Sequence, residues 1–129
     1  MRTVMRRAAL LGCFLGIAIA NLSHADPVLP LKSGDYTFYH RDAEFPDSNG
    51  FQVRVSIRGY HITVVNPKPH GTIPAGMLYD ATLMWHPKSK QWIIAYSNAD
   101  RDAPDVGGCS DGPDVIDFKT RIIWSCISG

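Results

Sequence analysis

The chain is predicted to be all-β: a small antiparallel meander of about seven strands, closed as a barrel or half-barrel, with a β-sandwich as the alternative. Three observations predict it. Phe51, Val53, Val55 and Ile57 alternate with Gln52, Arg54, Ser56 and Arg58, the period-two pattern of a strand with one buried face. Further short runs of the same kind follow, separated by Gly-, Pro- and Asn-containing turns. No helical periodicity is sustained over ten residues after Ala25. A meander with one apolar face must close or fold over to cover it.

The segment before that β region is of another kind. Arg2, Arg6 and Arg7 precede an apolar run from Ala8 to Ala20, and Ser23-His24-Ala25 places small residues before Asp26. This order of charged region, apolar region and small-residue site predicts a secretory signal peptide over residues 1–25, cut after Ala25. The apolar run is shorter than the roughly 20 residues a membrane-spanning helix needs. Leu10-Leu11-Gly12-Cys13 has the form of a lipoprotein signal, but the cysteine lies too early in the apolar run. Arg6-Arg7 lacks the surroundings of a twin-arginine signal. The expected location is therefore periplasmic or extracellular, with no stable membrane anchor after cleavage.

Removing 25 of the 129 residues leaves 104 for a single β domain, residues 26–129. The formal charge changes from +1 to −2, because three arginines leave and all twelve acids stay. The basic excess belongs to the signal and gives no reason to expect a nucleic-acid partner. Cys109 and Cys126 remain, and in an oxidising compartment an even pair predicts a disulfide.

The elements follow in order. Residues 26–33 form an N-terminal arm, and Asp35 to His40 a first strand. Asn49-Gly50 marks a turn, because both residues tolerate positive φ, and Phe51 to Arg58 is the second strand. Gly59 permits the next turn, and Tyr60 to Val65 resumes β-branched residues. Asn66 to Gly71, with two prolines, opens a loop. Met77 to Trp85 alternates again, with Met77, Tyr79, Ala81, Leu83 and Trp85 on one side. Pro87 to Lys90 turns the chain. Gln91 to Ser97 then puts Trp92, Ile94 and Tyr96 on one side, with Trp85 and Trp92 facing across the hairpin. Residues 98–113 are a long polar loop, and Val115–Phe118 and Arg121–Ile127 form a last hairpin. There is no internal repeat or low-complexity segment.

Four patterns bear on chemistry. Gly108-Cys109-Ser110-Asp111-Gly112 matches the G-x-S-x-G elbow of hydrolases, which needs a strand-to-helix turn over a parallel sheet. The flanks here are loop and strand. Spacing alone allows His61 or His86 with Asp100 and Ser110, without supporting it. Asp100, Asp102 and Asp105 are candidate calcium ligands, since calcium gathers carboxylate oxygens from loops, although Pro104 breaks the EF-hand register. His40, His61, His70 and His86 show no zinc-site spacing. Twelve aromatics remain after the signal, and Tyr36, Tyr39, Tyr60, Trp85 and Trp92 are the candidate binding surface. The acidic loop is read first as a solvated turn region, so no cofactor is expected, with calcium as the alternative.

Ser33-Gly34-Asp35-Tyr36 resembles the Ser-Gly-x-x-Tyr motif of small bacterial periplasmic lysozyme inhibitors, one residue shorter and without their Thr-Lys-Gly after a tyrosine. Gly34-x-Tyr36 resembles the Gly-x-Trp opening of lipocalins, with tyrosine for tryptophan. Each likeness spans at most four residues and assigns no family. The leading expectation is a non-enzymatic exported protein that binds a protein partner, such as an envelope hydrolase it inhibits, through residues 66–76 and 98–113. The alternatives are a carrier of a small apolar ligand inside the barrel and, last, a small hydrolase.

Overall fold

The computed structural model describes residues 25–126; the predicted signal peptide, apart from Ala25, lies outside them, and Cys13 with it. Seven strands follow one another: β1 (Gly34–Asp42), β2 (Phe51–Arg58), β3 (His61–Asn66), β4 (Gly76–His86), β5 (Gln91–Ala95), β6 (Asp114–Asp117) and β7 (Ile122–Ser125). They pair in sequence order and close into a barrel. Consecutive strands are antiparallel, and β1 meets β7 in parallel, from Tyr39 opposite Ile122 to Asp42 opposite Ser125. The parallel seam follows from the odd strand number: in an up-and-down meander the first and seventh strands run the same way. The barrel form is thus the one adopted, and not the sandwich.

The alternation seen in the sequence sets the core. Phe38, Val53, Val55, Ile57, Ile62, Val64, Leu83, Ile94, Ile116 and Ile123 point inward and are 0–2 % exposed. Side chains fill this interior, as is usual for small barrels. Each fully buried Val, Ile or Phe contributes on the order of 1.5–3 kcal/mol. Trp85 and Trp92 face each other across β4 and β5, with ring centroids 5.5 Å apart and tilted edge to face. Phe118 and Tyr60 extend this aromatic cluster at 6.2 and 6.4 Å from Trp92.

The structure departs from simple period two in three places. The β3–β4 register shifts between Val64 and Val65, so that Val65 lies opposite Met77 and Leu78 is the extra residue. That bulge turns Met77 out to solvent, away from the face shared by Tyr79, Ala81 and Leu83. Strand β5 ends at Ala95, which leaves Tyr96 outside the barrel wall and 67 % exposed. Finally, β5 is buried on both faces. Its outward Ile93 and Ala95 form a second apolar cluster with Val115, against which Met84, Val106 and Trp124 pack.

The segment 96–113 covers that outer cluster. It includes a short 3-10 helix, Asn98–Asp102. His86, 1 % exposed, faces outward beneath the segment, and its Nε2–H donates to the Ala103 carbonyl (2.8 Å). Its Nδ1 accepts from the Ser89 backbone N–H (3.2 Å). Both ring nitrogens thereby have hydrogen-bond partners. The N-terminal arm packs Leu29 and Leu31 against the core, and Asp26 pairs with both guanidinium nitrogens of Arg101 (2.8 and 2.9 Å).

Gly50 opens β2 as the turn signal implies, but for a different reason. It does not adopt positive φ. A Cβ there would collide with the His40 carbonyl oxygen and the Arg41 side chain. Gly50→Ala is expected to cost about 1–2 kcal/mol through overpacking, read as a lowered urea midpoint with unchanged slope.

Candidate functional site at the long-loop mouth

The topology sorts the connections by length. β1, β3, β5 and β7 all run toward one end of the barrel, so the segments 43–50, 67–75 and 96–113 all leave from that end. The other end has only the turns at Gly59-Tyr60, 87–90 and 118–121, together with the arm. The long-loop end is called the mouth below.

Inward-facing residues change from apolar to polar at the mouth. They are His40 on β1, Asn66 on β3, Tyr79 on β4, Asp114 on β6 and Ser125 on β7. The Tyr79 hydroxyl donates to the Asp114 carboxylate. His40 Nε2 lies 3.1 Å from Tyr79 Oη and 2.9 Å from Ser125 Oγ. Asn66 Nδ2 donates to the Pro74 carbonyl (3.0 Å), holding the 67–75 loop to the wall. A cavity of about 410 Å³ opens over this layer, bounded also by Ile73, Leu78, Gly108, Ser110 and Cys126.

The electrostatics follow from burial. Desolvation pushes His40 down to about 4, and the Asp42 charge only partly opposes it. Burial and the Asp114 charge push the Tyr79 hydroxyl up. Burial also raises the Asp114 carboxyl, against the Tyr79 hydrogen bond. His40 is therefore neutral at pH 7. Its Nδ1 is buried with no hydrogen-bond partner. An unpaired lone pair there costs less than an unpaired N–H, so the proton belongs on Nε2, shared between the Tyr79 and Ser125 oxygens.

That tautomer bears on catalysis. His40 donates toward Ser125 instead of taking its proton, and no carboxylate orients its Nδ1 as a serine triad requires. A base shifted to about 4 is also poorly matched to proton abstraction at neutral pH. The hydrogen bonds among His40, Tyr79, Asp114 and Ser125 link four strands, β1, β4, β6 and β7, at the mouth.

The disulfide ties one of the long loops to this layer. Cys109 and Cys126 are bonded, with Cα atoms 4.8 Å apart. Asp42 and Glu44 lie beside the sulfurs; both thiolates are consumed by the bond, so no cysteine ligand is free there. The Asp42 carboxylate accepts the Glu44 N–H (2.9 Å).

The residues singled out in the sequence are dispersed. Asp100 accepts the Tyr96 and Ser97 N–H groups (2.9 and 3.3 Å), which caps the 3-10 helix. Asp102 and Asp105 are exposed. Among the described residues, Asp100, Asp102 and Asp105 do not form a cluster of ligand atoms. Ser110 borders the mouth cavity, whereas His61 pairs with Asp80 on the outer wall (2.7 Å) and His86 is held under the covering segment. The Ser110 arrangement with either histidine is not assembled. Tyr39 lies on the outer wall, bonded to Gln52 (3.2 Å). Tyr36, Tyr60, Trp85 and Trp92 sit at the opposite end, with Trp92 only 8 % exposed. Sequence reasoning missed the polar layer. Its one available signal is that His40, Asn66, Tyr79 and Asp114 stand where inward positions meet the long loops.

Around the mouth the exposed large apolar side chains are Phe45, Met77 and Tyr96, at 55, 61 and 67 %. Acids outnumber bases there: Asp42, Glu44, Asp47, Asp111 and Asp114 against Arg41 and Lys68. Arg41 is engaged with the Pro46 and Ser48 carbonyls (2.6 and 3.1 Å). The described chain is a disulfide-bonded β-barrel, and no helix in it is long and apolar enough to cross a membrane. Comparison with known protein families, with characterised proteins and with solved structures finds no match.

Proposed function

We propose that this chain is an exported, non-enzymatic binding domain whose mouth engages a protein partner, in the form of an inhibitor that places its loops against an envelope hydrolase. One observation carries the reading: three long connections leave from the same end of a rigid barrel, with Phe45, Met77 and Tyr96 exposed among them. Binding residues concentrate on loops held by such scaffolds, and exposed aromatics serve as anchors. The bonded cysteine pair is consistent with an oxidising compartment. The filled interior leaves little support for carriage of an apolar ligand inside the barrel.

The test is chemical cross-linking in an envelope extract, with a photoreactive residue at position 96 and, as control, at position 119. A single stoichiometric protein captured from position 96 alone is the expected result. Phe45→Ala and Tyr96→Ala should each weaken that complex by about tenfold or more, as truncated anchors do. Equal capture from both positions, or affinity unchanged in both variants, would sink the proposal.

A further inference from the structure

The two ends of the barrel carry opposite charge. The tight-turn end holds Lys32 in the arm, Arg58 at the end of β2, Lys88 and Lys90 between β4 and β5, and Lys119 and Arg121 between β6 and β7. Three acids of the arm, strand ends and turns oppose them, Asp26, Asp35 and Asp117, and all are engaged: Asp26 pairs with Arg101 (2.8 and 2.9 Å). Asp35 accepts from Ser56 Oγ (2.9 Å) and pairs with Arg58 (3.3 Å). Asp117 accepts the Lys119 and Thr120 N–H groups (2.9 and 3.2 Å). Among the described residues no carboxylate pairs with any of the four lysine ammoniums.

We infer that this tight-turn end is a docking surface for a bilayer containing anionic phospholipids. The arm and the turns lie side by side, since Pro30, Lys90 and Lys119 border one groove of about 330 Å³ with Trp85, Trp92 and Phe118. Tyr60 stands at the tip of the β2–β3 turn, 55 % exposed. An aromatic body with a polar tip, flanked by lysines on flexible stems, suits the headgroup region. The cations are spread over the arm and three turns and do not converge on one point. That spacing fits an extended array of phosphates better than a single soluble anion.

Charge segregation matters because the part after Ala25 has a formal charge of −2, and a uniformly acidic body would be repelled by such a surface. The membrane field decays within a Debye length, about 8–10 Å, so it acts on the near end alone. The same field would turn the acidic mouth away from the bilayer, leaving it open to a partner.

The experiment is cosedimentation of the purified protein with vesicles of phosphatidylglycerol and phosphatidylcholine (about 3:7), against phosphatidylcholine alone. Binding is expected only to the anionic vesicles, and it should be lost as salt rises from about 0.05 to 0.5 M. The triple variant Lys32→Glu, Lys90→Glu, Lys119→Glu should lower partitioning by about tenfold or more, while Lys68→Glu at the mouth leaves it unchanged. Circular dichroism reports whether the triple variant is folded. If it is not, Lys32→Gln with Lys119→Gln reads the same surface with a smaller loss. No vesicle binding, equal binding to neutral vesicles, retention on heparin without vesicle binding, or undiminished binding by the folded variants would each overturn the inference.

Discussion

Replacing Cys109 and Cys126 by serine is expected to lower the stability of the folded domain by about 3 kcal/mol, the chain-entropy value for a closed loop of this length. For a domain of this size that corresponds to a fall in melting temperature on the order of 10–20 °C. The bond does more than shorten the unfolded ensemble. It holds the segment that roofs the outer cluster of Ile93, Ala95 and Val115, and it does so from the end of β7, the strand that closes the barrel. The rest of that segment keeps other anchors: His86 beneath Ala103, Val106 against the outer cluster, and the Gly107 N–H on the Pro113 carbonyl (2.9 Å). The damage should therefore be graded. Residues 108–112 detach first, seen as new cleavage there in limited proteolysis of the folded variant, and global unfolding follows at the lower temperature. Reductant should reproduce both effects in the unaltered protein. A double serine variant that melts within a few degrees of the parent would show that these other contacts suffice.

How far the sequence reaches depends on which physical rule governs each residue. Phe51 to Arg58 was legible because a period-two pattern admits one inside and one outside, and burial enforces it. The same rule misplaces Met77, because a single extra residue at a bulge reverses every parity beyond it, and bulges leave little trace in composition. Ile93 and Ala95 look solvent-facing by alternation. They are buried because a distant loop lies over them, and that packing is tertiary. The bonded pair Cys109–Cys126 could be inferred from parity of number and the predicted export signal. The polar layer could not. His40 and Ser125 are 85 residues apart and meet only because the first and last strands close the barrel. The charge polarity along the axis is written in the turns, yet it has no meaning until the topology assigns each turn to an end.

His40 provides the second large effect, a pH-dependent stability with a defined sign. Its imidazole is held neutral by burial, down to about 4 from the usual value near 6.5. Between those values the unfolded chain carries the proton and the native chain does not. Stability therefore rises with pH across the window from 4 to 6.5, and is lost progressively as the pH falls through it. The full displacement is worth about 3 kcal/mol at 1.36 kcal/mol per unit. Asp114 acts in the opposite sense at the acid end. Its raised carboxyl takes up a proton in the native state before it does in the unfolded chain, which offsets part of the loss. The net expectation is a decline of about 2–3 kcal/mol between pH 7 and pH 4.5, measured as the urea unfolding free energy at fixed salt. In His40→Gln the amide still reaches Tyr79 and Ser125 as a donor but does not titrate, so the decline should shrink by more than half. Other carboxylates and histidines contribute to both profiles alike, and the difference between the two proteins isolates this ring. Parallel profiles would mean that His40 takes up its proton alike in the native and unfolded chains, and the desolvation of this ring by burial would then be wrong.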